Sequence, residues 1–547
     1  MHKRKLWRLV APAITAAATL ACAASAFAQN TLAFSASAVA QNYVVLYKQQ
    51  AVPAGAATTI EKAGGTLVAS YGQIGVAIAR SENPSFRANL LEDAKVENAS
   101  GTAAFGMKLD DQTGKALADA AATPPGDLPN FPATDADTFS PLQWDMRQIH
   151  APEAHLISGG SPAVLVGDID TGIDFGHPDL IQNIDVANSA NCESGVAVPG
   201  LAAQDDNGHG THTAGTIAAA SNGLGIVGVA PNVKIAGIKA GNAAGYFFPE
   251  AVICSFIWAG THHMDVTNNS YFADPFEYNC RNDPVQRAIW KAEQRAIMFA
   301  QQEGVTVVAA EGNDSDDLAH PTFDVTSPDF PPGSEQERAI TNACVVIPVE
   351  IPGVIGVSAT GNRRQVDGDD DPDDYLKAYY SNYGVGVTQV AAPGGDFFFG
   401  DPPGPTALIL STWPAALAAE CGPARFQRQE IGVPAGLYCY AQGTSMASPH
   451  AAGVAALIIS RFGKTNSPQN GKMRPEQVKA YLDQTADPQP CPTEFPDTPL
   501  VPGVNYLDVT GFNSGAVQQC QGGPGYNSWY GNGEVDALKA VTHDAGN

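Results

Sequence analysis

The sequence predicts an α/β protein, a parallel β-sheet covered by helices on both faces and preceded by a small α+β unit. Three observations point there. From residue 143 onward, short apolar strand-like runs alternate with longer helical ones. Those runs are apolar without interruption, as strands buried on both faces must be. Hydrophobic residues make up 44% of the 547 residues, enough to fill a large core and too many for a disordered chain.

The elements follow in order. Asn42 to Tyr47 is β-rich, Thr58 to Ala63 suits a short helix, and Thr66 to Tyr71 and Val76 to Ala79 are two further β-rich runs around a turn with Gly72 and Gly75. Pro124, Pro125, Pro129, Pro132 and Pro141, with Asp and Ala between them, give 121–142 the composition of a linker. Beyond it, Ala163 to Ile169 reads as a buried strand, His209 to Ala220 as a helix and Val233 to Ile238 as a strand. Pro284 to Gln302 reads as a helix, and Gly304 to Ala310, Val354 to Ala359 and Val387 to Ala391 as strands. Thr444 to Ser460 is a long apolar helix. In such sheets function gathers at the carboxyl ends of the strands. There is no internal repeat.

The first 28 residues read as a signal peptide. Lys3, Arg4, Lys5 and Arg8 precede an Ala-rich run from Leu9 to Ala21, and Ala26-Phe27-Ala28 offers small residues for cleavage before Gln29. Pro12 and the weak hydrophobicity of the run argue against a membrane anchor, and Thr19 argues against a lipoprotein signal ahead of Cys22. No later segment is long and apolar enough to span a bilayer. The net charge of −26 would repel phosphate backbones and anionic lipids, which excludes nucleic acid and membranes as partners and fits a soluble exported protein. Loss of the signal peptide removes Cys22 and leaves an even set: Cys192, Cys254, Cys280, Cys344, Cys421, Cys439, Cys491 and Cys520. In an exported chain these suggest disulfides, and proximity favours Cys421–Cys439 and Cys491–Cys520. No thiolate spacing suits zinc.

Three segments carry the chemistry. They are Asp168-Ile169-Asp170-Thr171-Gly172-Ile173-Asp174, Asn207-Gly208-His209-Gly210-Thr211-His212, and Gly443-Thr444-Ser445-Met446-Ala447-Ser448-Pro449-His450. A serine hydroxyl becomes a nucleophile when a base takes its proton, a histidine is that base near neutral pH, and a carboxylate fixes the ring. Together the segments resemble the signature blocks of the subtilisin-like serine proteases, over about three quarters of the chain. The resemblance implies Asp170 as orienting acid, His209 as base and Ser445 as nucleophile. Val307 to Asn313 resembles the family strand that ends in an oxyanion-hole asparagine, so Asn313 would donate to the developing oxyanion beside the Ser445 N–H. Pro449 has no N–H to bond the Ser445 carbonyl, so the helix start should be irregular there. Asp168, Asp174 and Asp179 read as turn, cap or structural residues, and His177 and His450 as structural. His212 stands one turn beyond His209, without the pattern of a metal pair.

The resemblance further implies a three-layer catalytic domain over 143–547 and, over 29–120, a ferredoxin-like propeptide that assists folding and blocks the cleft; an independent binding domain is the alternative. It implies cleavage of that propeptide between about 100 and 142. Asp265 to Tyr271 resembles the edge strand beside the cleft, with Ser270, Tyr271 and Gly312 as substrate-binding positions; Gly245 to Phe247 falls where the opposing edge should be. Phe272 and Glu311 replace residues that are usually small. The stretches 271–303, 314–350 and 396–440 exceed a minimal member of the family. No cofactor is needed for the chemistry. The acidic loop 367–374 could hold a structural calcium, or be a solvated turn. The reading is a secreted, autoprocessed serine endopeptidase acting on proteins or peptides. A catalytically dead binding protein on the same fold would lack a triad residue, and none is missing.

Overall fold

Nine strands form the central sheet. A computed structural model describes residues 40–102, 112–113, 135–272, 276–328, 335–366, 371–465, 472–523 and 525–543. The expected signal peptide, residues 121–134 of the expected linker and residues 367–370 of the acidic loop lie outside them. In spatial order the strands are Tyr375–Lys377, Ile355–Arg364, Thr306–Ala310, Val266–Asn269, Leu165–Asp170, Lys234–Lys239, Ala190–Asn191 and Val198–Pro199, with Thr388–Pro393 also on Ile355–Arg364. The interior pairings are parallel, while Tyr375–Lys377 and Val198–Pro199 run antiparallel to their neighbours.

Successive strand residues point to opposite faces, and both faces are packed. Val166 and Val308 join the core beneath helices His209–Ala218 and Thr444–Phe462. Leu165, Ile169, Val307 and Ala309 join the core beneath Pro249–Thr261 and Pro284–Gln302. The helix Pro284–Gln302 spans the residues expected from sequence. Asp283 accepts the Val285 and Gln286 N–H groups, and Pro284 fills the first position, where no N–H is needed. Val266–Asn269, expected at a sheet edge, is internal between Thr306–Ala310 and Leu165–Asp170.

The N-terminal unit has four strands, in the order Gly65–Tyr71, Val76–Ser81, Gln41–Tyr47 and Val96–Gly101. Tyr43, Val45 and Tyr47 pack on its own helices Ala56–Ala63 and Phe86–Leu90. Val44, Leu46 and Val76 on the opposite face join the larger domain's core. Polar contacts border that junction: Asn42 Nδ2 donates to Glu250 Oε1 at 2.8 Å, Arg295 Nη1 to the Tyr47 carbonyl at 3.0 Å, and Lys291 pairs with Glu97 at 2.6 Å.

The eight cysteines among the described residues are all bridged, as Cys192–Cys254, Cys280–Cys344, Cys421–Cys439 and Cys491–Cys520. Sequence proximity had favoured the last two pairings. No helix among the described residues is long and apolar enough to cross a membrane.

Candidate active site

Asp170 ends the strand Leu165–Asp170, and His209 opens the helix His209–Ala218. His209 Nδ1 lies 2.6 Å from Asp170 Oδ1, which also accepts the Thr171 N–H at 2.7 Å. Asp170 is fully buried and His209 4% exposed. Burial pushes the Asp170 carboxyl up from its ordinary value, and the charge and hydrogen bond of His209 pull it back. Gly208, just before His209, has φ +108, and a Cβ there would lie 2.4 Å from the Trp413 ring. Only glycine fits this tight entry to the helix.

Ser445 opens the helix Thr444–Phe462, which packs against the helix of His209. Its Oγ donates to the Ser270 carbonyl at 3.3 Å. The Ser445 carbonyl, for which Pro449 has no N–H, accepts the Ser270 hydroxyl at 3.0 Å. The helix is continuous from Thr444 past Pro449, so in place of the expected irregular start there is only this exchange of partners, which ties the Ser445 backbone to Ser270.

Asn313 stands three residues beyond the strand Thr306–Ala310. Its Oδ1 accepts the Thr444 N–H at 2.8 Å and the Thr444 hydroxyl at 3.0 Å, so its NH₂ end points away from Thr444. Gly312, at φ +106, donates its N–H to Thr444 Oγ1 at 3.0 Å. Sequence reasoning missed Asn382, the buried residue that fixes this loop. Its Nδ2 donates to the Glu311 carbonyl at 3.0 Å, its Oδ1 accepts the Asp314 and Asp316 N–H groups at 2.9 Å each, and its backbone N–H donates to the Gly312 carbonyl. Nothing in Tyr380-Ser381-Asn382-Tyr383 marks it as special; only the tertiary pairing does.

The family model described as the Subtilase family matches residues 161–533. The chain belongs to the subtilase family. This subtilase is 29% identical over 357 residues to fervidolysin of Fervidobacterium pennivorans, a match covering 63% of this chain and 40% of that protein. It is 29% identical over 347 residues to the alkaline protease of Alkalihalobacillus alcalophilus, covering 63% and 64% of the two chains. The matches therefore span less than two thirds of either relative's length. Among solved structures, the epidermin leader peptide processing serine protease of Staphylococcus aureus superposes with a TM-score of 0.62 at 20% identity, covering 93% of this chain and 99% of that one. Fervidolysin does so with a TM-score of 0.59 at 21% identity, covering 93% and 62%. At these identities the likeness is one of fold.

The expected substrate-binding positions of this subtilase are placed less simply. Tyr271 is buried, its ring stacked on Phe247 at 4.4 Å and its hydroxyl donating to Asn269 Oδ1. Gly312 already spends its N–H on Thr444 and its carbonyl on Asn382. Gly245 lies in a closed turn with its N–H on the Asn242 carbonyl, where an open opposing edge was expected. The chain folds back there because Gly241 and Phe247 bridge across the turn. Phe272 lays its ring over Gly312, within 2.6 Å of where a Cβ would stand. Glu311 is buried and bonded to Thr388 rather than open to the cleft, and burial pushes its carboxyl well up. His212, His177 and His450 sit on backbone carbonyls, of Cys439, Leu437 and Met446. Among the described residues, no group of three or more His, Cys, Asp or Glu is arranged to hold a metal ion.

Proposed function

We propose that this subtilase is a secreted serine endopeptidase, made as a precursor that cuts itself and then hydrolyses protein or peptide substrates through an acyl-enzyme on Ser445. The observation that carries this reading is the 2.6 Å Asp170–His209 bond, beside which the helix of Ser445 packs on the helix of His209 and Asn313 accepts the N–H of Thr444, the residue before Ser445. In the first step His209 Nε2 takes the Ser445 proton as Oγ attacks the substrate carbonyl. The oxyanion gathers the Ser445 N–H and the Asn313 amide. The imidazolium, held by Asp170, then protonates the leaving amine, and the C–N bond breaks. Water repeats the sequence on the ester: His209 takes its proton, and Ser445 leaves with that proton restored. The chemistry uses no cofactor; a calcium taken up by this chain would be structural.

The precursor reading draws support from a short pairing. Gln112–Thr113 runs antiparallel to Ala441–Gln442, directly ahead of the Gly443-Thr444-Ser445 turn. That is where a bound chain would continue past the bond being cut, so this reading puts the maturation cleavage on the N-terminal side of Gln112. Nucleic acid and membrane have no place in this reading of an acidic chain.

A serine-selective acylating probe and N-terminal sequencing test both parts. Labelling of the wild type, none of Ser445→Ala, and a new N-terminus at or shortly before Gln112 are expected. An unlabelled wild type that still folds would end the peptidase reading. A processed Ser445→Ala expressed alone would end the self-cleavage reading.

A further inference from the structure

A second carboxyl group lies two residues from the acid of the triad. Asp168 and Asp170 share one strand and one face of it, and both are fully buried. Asp168 Oδ1 accepts Asn268 Nδ2 at 2.9 Å from the adjacent strand. Its Oδ2 lies 2.8 Å from Thr213 Oγ1, on the helix that His209 opens. Asn268 carries the connection onward. Its Nδ2 also donates to Ser270 Oγ at 3.1 Å, and its Oδ1 accepts Ser448 Oγ at 2.7 Å. Ser270 Oγ in turn donates to the Ser445 carbonyl at 3.0 Å.

Asn268 Nδ2 spends its two hydrogens on Asp168 and Ser270, leaving the Ser270 hydrogen for Ser445 and the Ser448 hydrogen for Asn268 Oδ1. Thr213 has one hydrogen and three acceptors in reach, the His209 carbonyl at 3.5 Å and, in two shorter contacts, Asp168 Oδ2 at 2.8 Å and the Gly210 carbonyl at 3.0 Å. Both contacts are satisfied when Asp168 carries a proton and donates it to Thr213, while Thr213 donates to Gly210. An ionised Asp168 would instead take the Thr213 hydrogen and stand as a second buried anion beside Asp170. Two such charges cannot both be held cheaply.

We propose that Asp168 is a positioning residue that keeps its proton at working pH, adding no second anion to the strand of Asp170, while its bond to Thr213 locks the helix of His209 to that strand and its bond to Asn268 links the strand, through Ser448 and Ser270, to the helix of Ser445. The inference rests on the serine-peptidase reading above. The groups facing Asp168 are Asp170 on its own strand, His209 and Thr213 on the helix, and Asn268 on one neighbouring strand. Gly237, its register partner on the other neighbour, brings no side chain. Burial, and after it the charge of Asp170, pushes the Asp168 carboxyl well above the usual carboxylate range.

Asparagine reproduces the protonated acid, since its NH₂ can donate to Thr213 and its oxygen can accept from Asn268. The test uses the full chain carrying Asp168→Asn, Asp168→Ala or Thr213→Val, with pH profiles of kcat and kcat/KM on a chromogenic peptide and Tm alongside. Asp168→Asn should stay within about threefold of wild type, with the acid limb unmoved. Asp168→Ala and Thr213→Val should lower kcat by about tenfold or more with KM within about twofold. An Asp168→Asn enzyme that folds but loses about tenfold or more, with its acid limb displaced, would overturn the proposal by showing that the anion is what wild type uses. An Asp168→Ala enzyme equal to wild type would overturn it too. Should Asp168→Ala fail to fold, the Asp168→Asn profile decides alone. A wild type that takes no acylating probe would count against the peptidase reading instead.

Discussion

Asn382→Ala is the substitution whose effect follows most directly from geometry. The side chain makes three hydrogen bonds to the loop that carries Asn313, at 3.0, 2.9 and 2.9 Å. Truncation leaves the Glu311 carbonyl and the Asp314 and Asp316 N–H groups without it. At about 1 kcal/mol net for each bond, the loop loses about 3 kcal/mol of restraint. The backbone bond from Asn382 to the Gly312 carbonyl survives, so the loop should loosen rather than unfold. The upper limit on the kinetic cost is loss of the oxyanion donor itself. That loss is about 10²–10³ in rate, a figure that belongs to subtilisin and is not worked out from these residues. The expected result is a fall in kcat of about ten- to a hundredfold with KM within about twofold, since the donor acts on charge that develops after binding. Steady-state kinetics on a peptide anilide and a double-mutant cycle with Asn313→Ala measure it. In the Asn313→Ala background, Asn382→Ala should cost no more than about threefold further. A kcat within twofold of wild type, or full additivity of the two substitutions, would refute the reasoning.

Three further outcomes are expected. Phe272→Gly uncovers Gly312 beside the nucleophile, so a peptide-library digest should shift toward larger residues before the cleaved bond, by about tenfold in kcat/KM; an unchanged profile would show that the ring does not limit the pocket. Replacing Cys421 and Cys439 together by Ser frees a crosslink between residues 18 apart and should destabilise the fold by about 3 kcal/mol on the chain-entropy account, read as a lower Tm. Glu534 is buried, accepts Gln148 Nε2 at 2.9 Å, and is pushed by burial from 4.5 to about 8. Its native state keeps a proton that the unfolded chain gives up, so its contribution is present at low pH and lost as pH rises through about 8. Glu534→Gln should therefore gain Tm over wild type as pH goes from 5 to 8, and a constant difference would contradict the assignment.

The meeting of Asp170 and His209 was legible in the sequence because both lie in short motifs that restrict residue type and local order together. Asp170, His209 and Ser445 each lie in a motif whose neighbours shape a turn or helix start, and Asp283-Pro284 announces its helix in the same local way. What could not be read is what depends on partners distant in sequence. Asp168 looked like an ordinary turn or structural aspartate, yet it sits inside a strand and owes its place to Asn268 and Thr213, 100 and 45 residues away. Asn382 meets Asn313's loop across some 70 residues. The resemblance of Asp265 to Tyr271 to an edge strand does not fix its neighbours, because strand order is a long-range property, and it places Val266–Asn269 inside the sheet. Gly245 failed as an edge for a local reason, a turn whose N–H groups bond within the turn itself.

These failures share a physical cause that bears on the function. The groups that react are few and locally encoded, but their distances are set by buried polar residues which touch no substrate. Asp168 joins the strand of Asp170 to the helix of His209; Thr444 joins the loop of Asn313 to the helix of Ser445, and Asn382 holds that loop in place. Such side chains are costly to bury, and they persist only where their hydrogen bonds are complete. Completing them fixes geometry before substrate arrives, which is the condition for stabilising charge that exists only in the transition state. Substitutions at these positions should therefore separate kcat from KM, whereas substitutions at the cleft rim such as Phe272 should change which peptides are cut and leave the triad's pH profile where it is.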